Sequence, residues 1–193
     1  MFASEMPELK SEFTMIDVLV GSRDSLRHVL PGLLLAVLTL LFGFGTGVVF
    51  GLNEDAIKSR LSASAASVDA AVYKQDAVAV KAVLDKSWTY MQRAHLHAGA
   101  LGAVAIALTL MLVLLGTRPR VAAALSASLG GGSLGYSVFW MWAGFRAPAL
   151  GGTSAAKESL AWLAIPSSGL VVGATAVVAV LLVLALLQKR NHA

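Results

Sequence analysis

Residues 29–52, "VLPGLLLAVLTLLFGFGTGVVFGL", contain no charged side chain. A helix needs about twenty such residues to cross the ~30 Å hydrocarbon layer of a bilayer. Comparable runs recur at residues 95–116, 121–145 and 160–187, the third of these being the least apolar. Charged residues make up only 13% of the 193 positions, against about 25% in a soluble domain, and the mean hydropathy is +0.75. Together the runs predict an all-α integral membrane protein, a four-span antiparallel helix bundle.

Four spans leave both termini on one side. Arg118 and Arg120 lie in the short turn after the second span, and Lys189 and Arg190 follow the last. Lys and Arg beside spans mark the cytoplasmic face, so both termini are expected in the cytoplasm, in a bacterial inner membrane. Residues 1–28 form an N-terminal cytoplasmic or interfacial segment and residues 29–193 the membrane domain. The first-to-second connection lacks Gly and Pro, and Ile57, Leu61, Val68 and Val72 recur at helical spacing, as do Val80, Leu84, Trp88 and Met91. Residues 53–94 are therefore expected to extend spans one and two as an external helical hairpin, turning near residues 72–76. All four tryptophans fall on that external side, where an aromatic belt would place them.

Small residues recur every fourth position in span one (Gly43, Gly47, Gly51) and span two (Gly99, Ala103, Ala107). Lipid supplies little hydrophobic force between helices, so close backbone approach at such rows drives association; these two rows are expected to pack together. Span three carries Gly130, Gly131, Gly132 and Gly135, again read first as helix contact.

The second span opens with "RAHLHAGALG", residues 93–102. Histidines two apart point about 200° apart on a helix, so His95 and His97 cannot share one ion without unwinding. His95 heads the small-residue row and should face inward. The stretch resembles the H-x-H opening of a helix in membrane proteins similar to haem–copper oxidase subunit I, and that resemblance implies haem or metal ligation by His95 or His97. Independently, Glu54 and Asp55 end span one at the same level, and either carboxylate with His95 would begin a site for Zn, Cu or Fe. Arg93 and Arg146 would suit haem propionates or a quinone carbonyl, with Trp140 nearby. The competing reading is an interfacial network of these charges and imidazoles with no cofactor.

Other chemistry is excluded more simply. With no cysteine there is no disulfide, thiolate metal site or CxxC haem attachment. "LGGGSLG" lacks the lysine of a phosphate loop. No acid lies at mid-span, against ion-coupled transport, and the net charge of +4 forms no nucleic-acid-binding stripe. No catalytic residue is assigned. The expected function is a small membrane subunit with an external haem b, metal or quinone site centred on His95, serving electron transfer in a larger complex. The alternative is a non-catalytic accessory or scaffold protein, binding membrane partners or itself through glycine faces and the hairpin.

Overall fold

Every element of the chain is helical among the described residues, which in this computed structural model are 7–190 for the backbone and 26–187 for side chains. The interfacial face of the N-terminal segment lies outside the described side chains. Helices suit the composition, because a helix satisfies its backbone groups internally where lipid offers no partner.

Helix α1 runs from Pro7 to Ala66 and breaks its helical geometry at Asn53 (φ −132°, ψ 24°), whose side-chain amide donates to the Val49 carbonyl at 3.3 Å. The chain reverses through a π turn, Asp69–Tyr73, followed by Lys74 and Gln75 in the left-handed region. Helix α2, Ala77–Leu114, begins where the Asp76 carboxylate accepts the N–H groups of Val78 and Ala79, a standard N-cap. Gly116, at φ 61°, ends it. Pro119 then opens helix α3, Pro119–Arg146, where a missing N–H costs nothing. The short helix α4, Thr153–Glu158, leads into α5, Ala161–Arg190, which contains Pro166.

Among the described residues, three segments are long and apolar enough to cross a membrane: Leu26–Ala66, Ala77–Leu114 and Ala161–Leu187. Helix α3 has 28 residues, about 42 Å at the helical rise, but its glycines and serines lower its hydropathy. Its position explains that composition, since α3 packs against α1, α2 and α5. A Cβ on Gly130 would strike the Gly32 carbonyl of α1. One on Gly132 would lie 2.7 Å from the Ser167 carbonyl of α5, and one on Gly144 2.9 Å from the Ser87 carbonyl of α2. The glycine run is contact surface on an unbroken helix.

The α1–α2 interface differs from expectation in its register. Gly43 does sit against α2, where a Cβ would lie 2.7 Å from the Gly99 nitrogen, and Gly47 lies beneath the His95 ring. Gly51 faces open space, and so does the Cβ direction of Gly99; Ala103 and Ala107 are exposed. The buried row of α2 is instead Ala94, Ala98, Gly102 and Ala105. Two small-residue rows lie side by side on this helix, and the structure uses the neighbour of the expected one.

Helices α1 and α2 run antiparallel, so the π turn lies at the end of the bundle away from the α2–α3 turn, the distal end. There the Tyr73 hydroxyl donates to the Pro148 carbonyl at 2.6 Å, and Val72 fills the space above Gly151. Behind this contact, Tyr90, Phe139, Ala143, Ala147, Ala156 and Leu160 form one of two buried apolar clusters among the described residues. The other, around Val29, Ala105, Leu129 and Val178, fills the opposite half.

Candidate functional site

Helix α2 passes from charged to apolar sequence between Tyr90 and Ala98, and its side chains there divide between two neighbours. On the α1 side, His95 Nδ1 lies 2.8 Å from the Gly43 carbonyl, with the ring edge-on to Phe50 at 6.3 Å. On the α3 side, His97 Nδ1 lies 2.8 Å from the Arg93 carbonyl, and its ring lies 5.5 Å from Tyr136 and 6.1 Å from Trp140. A carbonyl only accepts, so in each neutral imidazole Nδ1 carries the proton and Nε2 keeps a lone pair. The opposed directions follow from the ~200° between residues two apart.

Arg93 lies over the α3 side as well. Its guanidinium is 5.5 Å from the Tyr90 ring centre and 5.2 Å from that of Trp140, within cation–π range. Trp140 also meets Tyr90 edge to face at 4.8 Å and Phe139 at 5.1 Å. Its indole N–H is buried without an acceptor, a deficit of about 1–3 kcal/mol for a lost partner.

Of the residues singled out in sequence, Arg93, His97 and Trp140 therefore converge. His95 stands apart, tying α2 to α1. Arg146 is half-buried at the end of α3. Glu54 is paired with Lys58 one turn along its own helix, and Asp55 is exposed. Among the described residues no three His, Cys, Asp or Glu side chains gather, so His95, Glu54 and Asp55 do not form such a group. The rings of Tyr136 and Trp140 flank His97 on its α3 side. Tyr90, Tyr136 and Phe139 were not anticipated. The signal was present, however: Tyr90, Arg93 and His97 on α2, and Tyr136, Phe139 and Trp140 on α3, each follow i, i+3/i+4 spacing.

A second feature lies beyond Asn53. Two adjoining cavities of about 340 and 380 Å³ share Ser62, Leu84 and Asp85 and form a groove between α1 and α2. Leu61, Val80, Leu84 and Trp88 supply apolar walls, and Lys58, Lys81, Asp69 and Asp85 supply charge. Lys81 and Asp85 pair at 2.8 Å, and Lys58 lies 5.2 Å above the Trp88 ring. Asp69 Oδ1 is buried without a hydrogen-bond partner. Burial, with a smaller contribution from the Asp69 charge, pushes the Tyr73 hydroxyl above its ordinary pKa of 10.0.

No protein-family model matches the chain, and neither the curated proteins nor the solved structures contain a match to it.

Proposed function

We propose that the protein is a four-span subunit of a bacterial inner membrane, with both termini cytoplasmic, that serves as a non-catalytic accessory protein. Its distal groove holds an amphipathic helix of a partner membrane protein. The length and central packing of α3 support a fourth span, since a helix screened by α1, α2 and α5 needs little lipophilic surface. The observation that carries the function is the groove beyond Asn53, with apolar walls between charged rims. That pattern suits a helix presenting anchors at i, i+3, i+4 and i+7. In this reading α1 beyond Asn53 and the first turns of α2 stand outside the bilayer.

The test is gentle detergent extraction of the wild type and of Leu84→Lys from native membranes, followed by sizing of the complexes. A stoichiometric partner bound to the wild type and lost from Leu84→Lys is expected. A wild-type protein that elutes alone, or a complex indifferent to Leu84→Lys, would overturn the reading.

A second reading is a cofactor subunit serving electron transfer, and it is favoured by one specific observation. The unpartnered Trp140 N–H and the Arg93 guanidinium lie in one cluster with His97. Donors of this kind fit the carbonyl oxygen of a quinone better than a metal ion, and haem b or a metal would rely on a histidine Nε2. Solvent extraction of the purified protein, with an absorption spectrum and metal analysis, tests it. A stoichiometric quinone, haem or metal lost in His97→Ala but retained in His95→Ala would support it, and colourless protein without any of the three would refute it.

A further inference from the structure

The end of the bundle opposite the groove carries an unassigned cavity. A space of about 290 Å³ opens between the α2–α3 turn and the last turns of α5. Val121, Leu181, Leu184 and Ala185 form its apolar wall, and Thr117 and Arg118 also line it. Val121 and Leu184 are exposed, so the wall continues onto the surface where α3 and α5 would meet lipid. Arg118 is the N-cap residue of α3 and is exposed at the mouth of the cavity. Neither Arg118 nor Arg120 forms an ion pair among the described residues. The chain has no acidic residue between Asp85 and Glu158, so α3 and its flanking turn supply no neutralising partner.

We propose that this cavity is a binding site for one anionic phospholipid, with an acyl chain along Val121, Leu181 and Leu184 and the headgroup phosphate at Arg118 and Thr117. The charge complementarity selects this occupant. A neighbouring apolar helix would fill the wall and leave the guanidinium unmatched, whereas a lipid anion satisfies both. Arginine holds phosphate through paired, charge-assisted hydrogen bonds, and basic pockets between spans on the cytoplasmic side suit such headgroups. The site rests on the proposed topology, with α3 crossing the bilayer and the α2–α3 turn on the cytoplasmic side, and on neither the partner nor the cofactor reading.

Native mass spectrometry of the full chain, titrated with phosphatidylglycerol or phosphatidylcholine of matched acyl chains, is the direct experiment. Phosphatidylglycerol should bind in preference. Arg118→Gln should lower its occupancy about fivefold, the effect of one near-surface cation, and Arg60→Gln at the distal end should not. Ala185→Trp, which fills the cavity without changing charge, should lower binding of both lipids. For the unmodified protein, the preference measured in nanodiscs should fade in 1 M salt, where the screening length falls to about 3 Å. Equal binding of the two lipids, an unchanged preference in Arg118→Gln, or a preference indifferent to salt would overturn the proposal. Competition by millimolar inorganic phosphate alone would also overturn it, because it would identify a free-anion site.

Discussion

At the residue scale, glycine decides how closely the helices approach, and the structure separates the glycines that matter from those that do not. A methyl group on Gly130 meets the Gly32 carbonyl, and one on Gly99 meets nothing within 4 Å. Gly130→Ala is therefore expected to destabilise the bundle by about 1–3 kcal/mol, the usual range for overpacking. Gly99→Ala, inside α2 with open space at its Cβ, should leave stability unchanged or raise it by up to about 1 kcal/mol, the helix preference for alanine. Steric-trap or denaturant unfolding in micelles compares the two. Sequence could not make this distinction on α2. Lipid-facing and protein-facing positions are equally apolar, so hydropathy does not choose between the row of Gly99, Ala103 and Ala107 and the adjacent row of Ala98, Gly102 and Ala105. The histidines were more legible, because helical geometry alone sends His95 and His97 to different neighbours. The ring cluster around His97 was missed because its members are split between α2 and α3.

Tyr73 belongs to this scale too. Its hydroxyl donates to Pro148 and its pKa is raised, so the folded state holds the phenolic proton more tightly than the unfolded chain. The resulting stability is complete below pH 10, the unfolded value, and is lost as pH rises through the higher folded value. Tyr73→Phe should remove about 1 kcal/mol, one neutral hydrogen bond, and abolish this tyrosine's share of the alkaline loss. Unfolding of wild type and variant in micelles, measured from neutral to alkaline pH, reads both effects.

At the element scale, α1, α2 and α5 announce themselves as uninterrupted apolar runs long enough to cross a membrane. Helix α3 is the informative case, since its serines and glycines make sense only once its packed neighbours are known. Helix α5 touches the bundle almost wholly through α3, and only 11% of its most apolar window is buried. Detaching α5 should therefore require disruption of one seam. A Cβ on Gly135 would lie 3.2 Å from the Ser167 Cβ, within a few tenths of an ångström of disulfide geometry. In this cysteine-free chain, the pair Gly135→Cys and Ser167→Cys should form an intramolecular cross-link under mild oxidation. Proteolysis in the 147–152 loop followed by non-reducing electrophoresis would show the fragments still joined. Fragments that separate would place α5 elsewhere.

At the scale of the whole molecule, the two ends differ in character. The distal end carries the groove, the Tyr73–Pro148 contact and the cluster of Arg93, His97 and Trp140; the other carries Arg118, Arg120 and the α3–α5 cavity. Alternating charge and apolar spacing made the helical character of residues 53–66 and 77–94 legible. The groove was not legible, because it depends on how far apart two helices lie rather than on what either contains. The functional assignments all rest on α3 crossing the bilayer, so that its two ends face different compartments. Single cysteines at Thr117 and Ser154 test this in intact cells with a membrane-impermeant thiol reagent. Ser154→Cys should label directly, and Thr117→Cys only after the inner membrane is permeabilised. Labelling of both from the same side would contradict the four-span account.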